Sequence, residues 1–524
     1  MKLEFIEIQK VNHRPLMNGL KLNFQTNGDG HISTNCFIGI NGSGKSQLLE
    51  TIAEIFLYVD RFYRKTNRTL VSLAPALFKI GYTILKNDER YKVEILQDIP
   101  KGKAPKVSVW DNEGKEVTIS IEDVNGYLPS KIIGYTSGEN ETISTPFLSY
   151  YDVYADFVAK RAFGDNNEED YEPRFYFMDY NTNLGIAISN LVFDKDLDNS
   201  NTDNGLTQVK KELNIGKLKS FQIIIQTKQS AAPKIKSPTG DTGVLLTKEL
   251  KEWLNFLKKS ATCFDYIEKE NKYTFDFLLD SASKEALVHF FKSPYGLYTA
   301  LYKFEILNNL IVDKTTRKNI EKLRSQRNLT AKMPEVPDKD KVMRYSELKL
   351  QLTNNQIVDY LNLSDGEHQY FNVFGTVLMT DDKNALFLLD EPETHFNPKW
   401  RRLFVSNLND ITKKRNQDLF LTSHSPFIVS DTSKEFVYIF KRVDKDKIEV
   451  DFPKLETYGA SFNHILKMAF ELDESMSEDS AQFIDELLKS NDPKEIEDGI
   501  GRLGDSPKIM TLYRRLDMLE NKKK

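Results

Sequence analysis

Residues 39–46 read GINGSGKS and follow the apolar run Cys36–Ile38, placing Gly39, Asn41, Gly42, Ser43, Gly44, Lys45, Ser46 and the next residue, Gln47, in a G-x4-GK-[ST] loop. These types at this spacing suit phosphate. The glycines let backbone N–H groups close around a β-phosphate, Lys45 reaches the β and γ oxygens as a point charge, and the Ser46 hydroxyl is a ligand for Mg²⁺. The sequence QLLETIAEIFLYV predicts a helix whose positive end faces that anion.

A second group of chemical residues lies far along the chain. The stretch ALFLLDEPE, residues 385–393, predicts a strand buried on both faces and ending in Asp390 and Glu391. Asp390 is placed to hold Mg²⁺, and Glu391, one residue on, to polarise the water that attacks a γ-phosphate. The next apolar run, DLFLTSH, ends at His424, just past the carboxyl end of a neighbouring parallel strand, where open α/β sheets bind ligands. From there His424 could reach the γ-phosphate; standing alone it would read as a strand-end cap. Ser364, Asp365, Gly366 and Glu367, in LSDGE, offer a hydroxyl and backbone donors at a helix start. By themselves they read as a capping turn.

Taken in chain order, the phosphate loop, then LSDGE, then Asp390–Glu391 and then His424, the motifs resemble the ABC-class ATPase head, in which the LSGGQ-type signature of one subunit completes the nucleotide site of another. The resemblance implies ATP and Mg²⁺ as cofactors and a homo-oligomer of heads. Lys45, Glu391 and His424 are the catalytic candidates, Ser46 and Asp390 the metal ligands, and Ser364–Glu367 act in trans. DEPETHFNP is more similar to the DEPE-x-H-x-x-P of soluble RecF, SMC-type repair and overcoming-lysogenisation-defect relatives than to the transporter form. A narrower resemblance rests on GINGSGKS, GYTSGENETISTPF, LSDGE, DEPETHFNP, SHSPFIVSD and ETYGASF. Together they are similar to the restriction-system-associated, Septu-type PtuA ATPases of bacterial anti-phage defence. It implies an ATPase sensor that controls a separate HNH-type nuclease and has no nuclease activity of its own.

Composition limits the alternatives. The net charge of −5 argues against a surface devoted to nucleic acid, and two cysteines are too few for a disulfide framework. No apolar run approaches the roughly 20 residues that span a bilayer, and MKLEFIEIQKVNHRP lacks a signal peptide's apolar core. A cytoplasmic location without membrane contact is expected. Possible DNA contact is confined to patches, above all Lys314, Arg317, Lys318, Lys322, Arg324 and Arg327 against the single acid Glu321. The competing reading of that run is a solvated helix face.

The fold class expected is α/β, an ABC-type P-loop NTPase head: a mixed sheet with flanking helices, a largely helical insertion between the phosphate loop and the signature, and a helical C-terminal tail. The expected domains are 1–150, the N-terminal half of the head; 151–340, a mainly helical insertion; 341–455, the C-terminal half; and 456–524, the tail. No heptad repeat persists long enough for a coiled-coil arm. SGENETISTPF occupies the place of the family's Q-loop without a glutamine, leaving Glu139, Asn140 or Glu141 to substitute. Asp444 and Asp446 read as a hairpin turn rather than a nuclease metal pair. Two other functions fit the same motifs: a RecF-like or SMC-type DNA-binding repair ATPase, and an ATP-bound scaffold with little hydrolysis.

Overall fold

The computed structural model describes every residue except 29–31, 65–73, 101–102, 138–142, 163–171, 180–181, 195–204, 229–242, 326–332, 414, 416, 471, 473–475 and 522–524. Glu139, Asn140 and Glu141, the Q-loop candidates, lie outside the described residues, as do Arg327 and most of the two acidic stretches around 164–172 and 194–205. The chain forms two compact units, residues 1–459 and 460–524.

The first unit opens with strands β1 (Lys2–Val11), β2 (Lys21–Asn23) and β3 (Ser33–Ile38), then helix α1 (Lys45–Tyr63). Strands β4 (Ala76–Lys86), β5 (Glu89–Gln97), β6 (Lys106–Trp110) and β7 (Lys131–Thr136) follow, and then α2 (Ser144–Ala162) and β8 (Phe175–Met178). Helices α3 (Asn183–Val192) and α4 (Gly205–Glu212) precede β9 (Ile215–Gln226), α5 (Lys248–Ser260), β10 (Cys263–Ile267) and β11 (Lys272–Leu278). Next come α6 (Ser281–Phe291), α7 (Pro294–Ile306), α8 (Lys314–Ser325), β12 (Met343–Leu352), β13 (Ile357–Asp359) and α9 (Asp365–Met379). The unit closes with β14 (Ala385–Asp390), α10 (Pro398–Ile411), β15 (Asp418–Thr422), α11 (Pro426–Ser430), β16 (Val437–Asp444) and β17 (Lys447–Asp451).

A seven-stranded sheet carries the site, in the order β17-β16-β3-β15-β14-β7-β8. Strands β16 through β8 in that order pair in parallel, and β17 returns antiparallel to β16. The central strands β3, β14 and β15 are buried along their whole length, which is why they read as continuous rather than alternating apolar runs. Parallel register aligns Asp390 with Thr422 on one side and Thr136 on the other, and Thr422 with Phe37. The carboxyl ends of four strands therefore finish on one line. Strand β15 lies between the strand that feeds the phosphate loop and the strand that ends in Asp390.

An antiparallel sheet, β2-β1-β4-β5-β6, covers one part of the head; the alternating sequences of β4 and β5 give it one buried face. The segment 151–340 is largely helical, with α3 against α7 and α9, but it also contributes strands that no periodicity announced. Phe175–Met178, four consecutive buried apolar residues, form the edge strand β8 of the main sheet. A second antiparallel sheet, β10-β11-β9-β12-β13, pairs β9 of the insertion with β12, so hydrogen bonding runs straight across position 340.

The hairpin expected around Asp444 is present as β16 and β17, with Asp444 opposite Lys447. The second unit holds α12 (Phe462–Phe470), α13 (Glu478–Lys489), α14 (Pro493–Ile500) and α15 (Ile509–Asn521). Ile484, Leu487, Ile496 and Leu512 make its small core. No helix among the described residues is long and apolar enough to cross a membrane.

Candidate nucleotide site

The phosphate loop is a chain of left-handed turns. Gly39, Gly42 and Gly44 have φ of +140°, +76° and +94°, values that side-chain-bearing residues rarely adopt. At Gly39 a Cβ would also stand 2.2 Å from the Phe440 carbonyl oxygen of β16. Gly44 is the residue before α1, which has no side-chain cap and no acid in its first turn. The first N–H groups of α1 are thus left for an anion.

Lys45 is only 5 % exposed, and its ammonium donates to the carbonyls of Gly39 at 2.9 Å and Ile40 at 3.1 Å. Burial lowers its pKa to about 8, against the opposing pull of Glu391 and Asp390. Ser43 is fully buried beside it, and Gln47 sits in the first turn of α1, its carbonyl accepting from the Thr51 hydroxyl at 2.6 Å. Arg14 holds α1 from behind, through Glu50 at 2.7 Å and Glu54 at 2.6 Å.

Asp390 meets the loop directly. The Ser46 hydroxyl donates to Asp390 Oδ1 at 2.7 Å, and the Thr422 hydroxyl donates to the same oxygen at 2.6 Å. Burial raises the Asp390 pKa, and those two hydrogen bonds oppose it. The Thr422 Oγ1 in turn accepts the Glu391 N–H at 3.0 Å. Sequence reading missed Thr422; its signal was its place two residues before His424 on the strand beside Asp390.

Glu391 has φ +48°, an uncommon conformation for a residue with a long side chain. Its carboxylate oxygen Oε1 faces His424 Nε2 at 3.5 Å, with the two side chains 38 % and 32 % exposed. His424 is held down to about pKa 4, first by burial and then by the nearby Lys45 charge. The imidazole is therefore neutral at pH 7, and this contact is not an ion pair. Thr394 donates to the Glu391 carbonyl at 3.0 Å and accepts from the Ser137 hydroxyl at 2.9 Å, which ties the end of β7 to the Glu391 turn.

Two hard oxygen donors, the Ser46 hydroxyl and the Asp390 carboxylate, suit Mg²⁺, and the glycine cradle with Lys45 suits a triphosphate. The donor set fits both groups.

Ser364–Glu367 is elsewhere. Ser364 caps α9: its hydroxyl accepts from the Glu367 N–H, and its own N–H donates to the Glu367 carboxylate at 2.8 Å, a capping box. The helix-cap reading is thus realised. Among the described residues, the structure does not bring Ser364, Asp365, Gly366 or Glu367 into hydrogen-bond contact with the phosphate loop. Instead Gly366 packs so closely on the loop after Glu391 that a Cβ would lie 2.7 Å from the His395 carbonyl oxygen. Lys314, Lys318 and Lys322 of the basic run are exposed, as a solvated helix face requires, but Arg317 is not part of that surface. Arg317 is buried, 2.8 Å from Asp156, and Arg61 lies 4.0 Å from Glu321. Both contacts join α8 to the body of the protein.

Strand order and site together give a P-loop α/β fold in which β15 lies between the strand that feeds the phosphate loop and the strand that ends in Asp390. Residues 249–430 match the family described as "AAA domain, putative AbiEii toxin, Type IV TA system". That segment holds the LSDGE, Asp390, Glu391 and His424 motifs but not the phosphate loop. Protein ea59 of Escherichia phage lambda is 28 % identical over 91 residues, which are 17 % of each chain. The chain thus spans about a sixth of the length of that curated relative. Among solved structures, the chain is similar to the SMC head domain from Thermotoga maritima, with TM-score 0.32, 9 % identity and coverage of 87 % of this chain and 100 % of that one. It is also similar to the Smc head of Pyrococcus furiosus bound to the C-terminal domain of ScpA, with TM-score 0.30, 13 % identity and coverage of 86 % and 96 %.

Proposed function

We propose that this chain binds and hydrolyses ATP with Mg²⁺ and serves as the nucleotide-dependent sensor of an anti-phage defence complex, controlling a separate HNH-type nuclease. The observation that carries the ATPase part is the line of groups Ser46–Asp390–Thr422–Glu391–His424 at the carboxyl edge of one parallel sheet.

Gly42–Ser46 cradle the phosphates, and Ser46 and Asp390 hold the metal. Mg²⁺, when bound, neutralises charge on the β and γ oxygens. Glu391 accepts the proton of the attacking water, its carboxylate aimed by the Thr422 bond to its backbone. His424, being neutral, donates a hydrogen bond to the γ-phosphate region without adding charge. Lys45 leaves its carbonyl partners for phosphate oxygens. Such a site works by positioning and by electrostatics.

Ser364 and Gly366 of a second copy would close the site, so the active form is an assembly of heads. The sensor role rests on the motif resemblance, and the name of the matched family points in the same direction, towards toxin systems.

Affinity purification from the native cell, with and without ATP, tests the complex. An HNH nuclease retained in stoichiometric amount and released or held according to nucleotide is the expected result. A bare assembly carrying DNA and no second protein would replace this reading by the repair-type one.

A further inference from the structure

Beyond the sheet edge two turns run on side by side, one carrying Glu391 and the other His424. Something must hold them in register, because Glu391 sits at φ +48°, and such a backbone persists only where its surroundings over-determine it. The Thr422 bond to the Glu391 N–H restrains the first residue of the turn. Two residues further on, Glu393 is 4 % exposed and Ser423 is fully buried.

The Ser423 hydroxyl donates to Glu393 Oε1 in a short hydrogen bond, and the same Oγ accepts the Ser425 N–H at 2.9 Å. The Ser423 N–H donates to the Phe37 carbonyl at 3.0 Å. His424 is therefore pinned on both sides, and the pin ends on Glu393. Among the described residues, Glu393 Oε2 is buried without a hydrogen-bond partner. A carboxyl group so enclosed is costly. Glu391 and His424, by contrast, are each about a third open to solvent.

We propose that Glu393 is a positioning residue, holding the His424 turn against the Glu391 turn through the Ser423 hydroxyl. At 4 % exposed it is enclosed, and it acts through His424. The inference rests on the roles given above to Glu391 and His424 in hydrolysis.

Glu393→Met keeps the length of the side chain and removes the acceptor, Ser423→Ala removes the donor, and Glu393→Gln retains an acceptor oxygen. Each is made in the full chain. ATP turnover and affinity are measured beside the ring NMR resonances of His424, assigned with His424→Gln in ¹⁵N-histidine-labelled protein. Glu393→Met and Ser423→Ala are expected to lower kcat by about tenfold or more with ATP Kd changed less than about threefold. In both, the His424 resonances move towards those of an exposed histidine, and Glu393→Gln recovers at least half of the lost rate.

Unmoved His424 resonances in a folded Ser423→Ala protein would overturn the proposal, as would equal losses in the Met and Gln variants, which would assign the effect to charge. If Glu393→Met does not fold, Ser423→Ala decides. Equal turnover in wild type and Glu391→Gln would instead remove the hydrolytic reading, while the His424 resonances would still judge the pin.

Discussion

His424 Nε2 lies 3.5 Å from Glu391 Oε1, a neutral imidazole facing a carboxylate across the end of the sheet. The two side chains follow different strands, β15 and β14, and parallel register with Asp390 opposite Thr422 makes them neighbours. On the proposed function, this pairs a general base, Glu391, with a neutral hydrogen-bond donor at the γ-phosphate.

Glu391→Gln is expected to lower ATP turnover by about 10²-fold or more, the usual worth of a positioned base. ATP affinity stays close to wild type, because the phosphate loop is untouched. Steady-state turnover with equilibrium binding checks this; normal turnover would remove Glu391 from the mechanism.

The His424 pKa is lowered to about 4 in the folded chain, so the folded state resists taking up a proton that the unfolded chain accepts near pH 6.5. The contribution of this group to stability is fully present above about pH 6.5 and is lost as pH falls towards 4. His424→Gln should show a smaller drop in Tm between pH 7 and pH 5 than wild type. Parallel Tm profiles for the two proteins would refute the assignment.

Burial holds Lys45 at about 8, so roughly half of it is uncharged at pH 8 in the free protein. Phosphate oxygens favour the charged form, and nucleotide binding should take up about half a proton per site at pH 8 and almost none at pH 7. Calorimetry in buffers of different ionisation enthalpy measures this uptake. Equal uptake at the two pH values would mean that Lys45 does not meet the phosphates.

Arg317 is 6 % exposed, with Nη2 2.8 Å from Asp156 and Nε donating to the Val312 carbonyl at 3.1 Å. Arg317→Ala should cost about 1–2 kcal/mol of stability by removing its hydrogen bonds to that carbonyl and to Asp156, which is partly exposed and keeps Lys314 at 4.0 Å. Denaturant unfolding would show it. A variant of unchanged stability with weakened, salt-sensitive DNA binding would return Arg317 to the role of a nucleic-acid contact.

The sequence by itself determined the local pieces of this protein. GINGSGKS demands left-handed glycines ahead of a helix, ALFLLD suits a strand buried on both faces, and Ser364 with Glu367 makes its capping box within four residues. Each depends on neighbours a few positions away, so pattern and spacing suffice. Tertiary structure alone decided which pieces meet. Ser46 and Asp390 are 344 positions apart and share a hydrogen bond. Thr422 and Glu393 became visible as parts of the site only when β15 entered the sheet between β3 and β14. The short strand Phe175–Met178, between two polar acidic stretches, carries no period, because every one of its side chains is buried. The basic run shows the same limit: charge was legible, but only the fold separated Arg317, buried on Asp156, from the exposed Lys314, Lys318 and Lys322. Periodicity records which face of an element is dry, whereas the pairing of distant elements is set by packing that no local window contains.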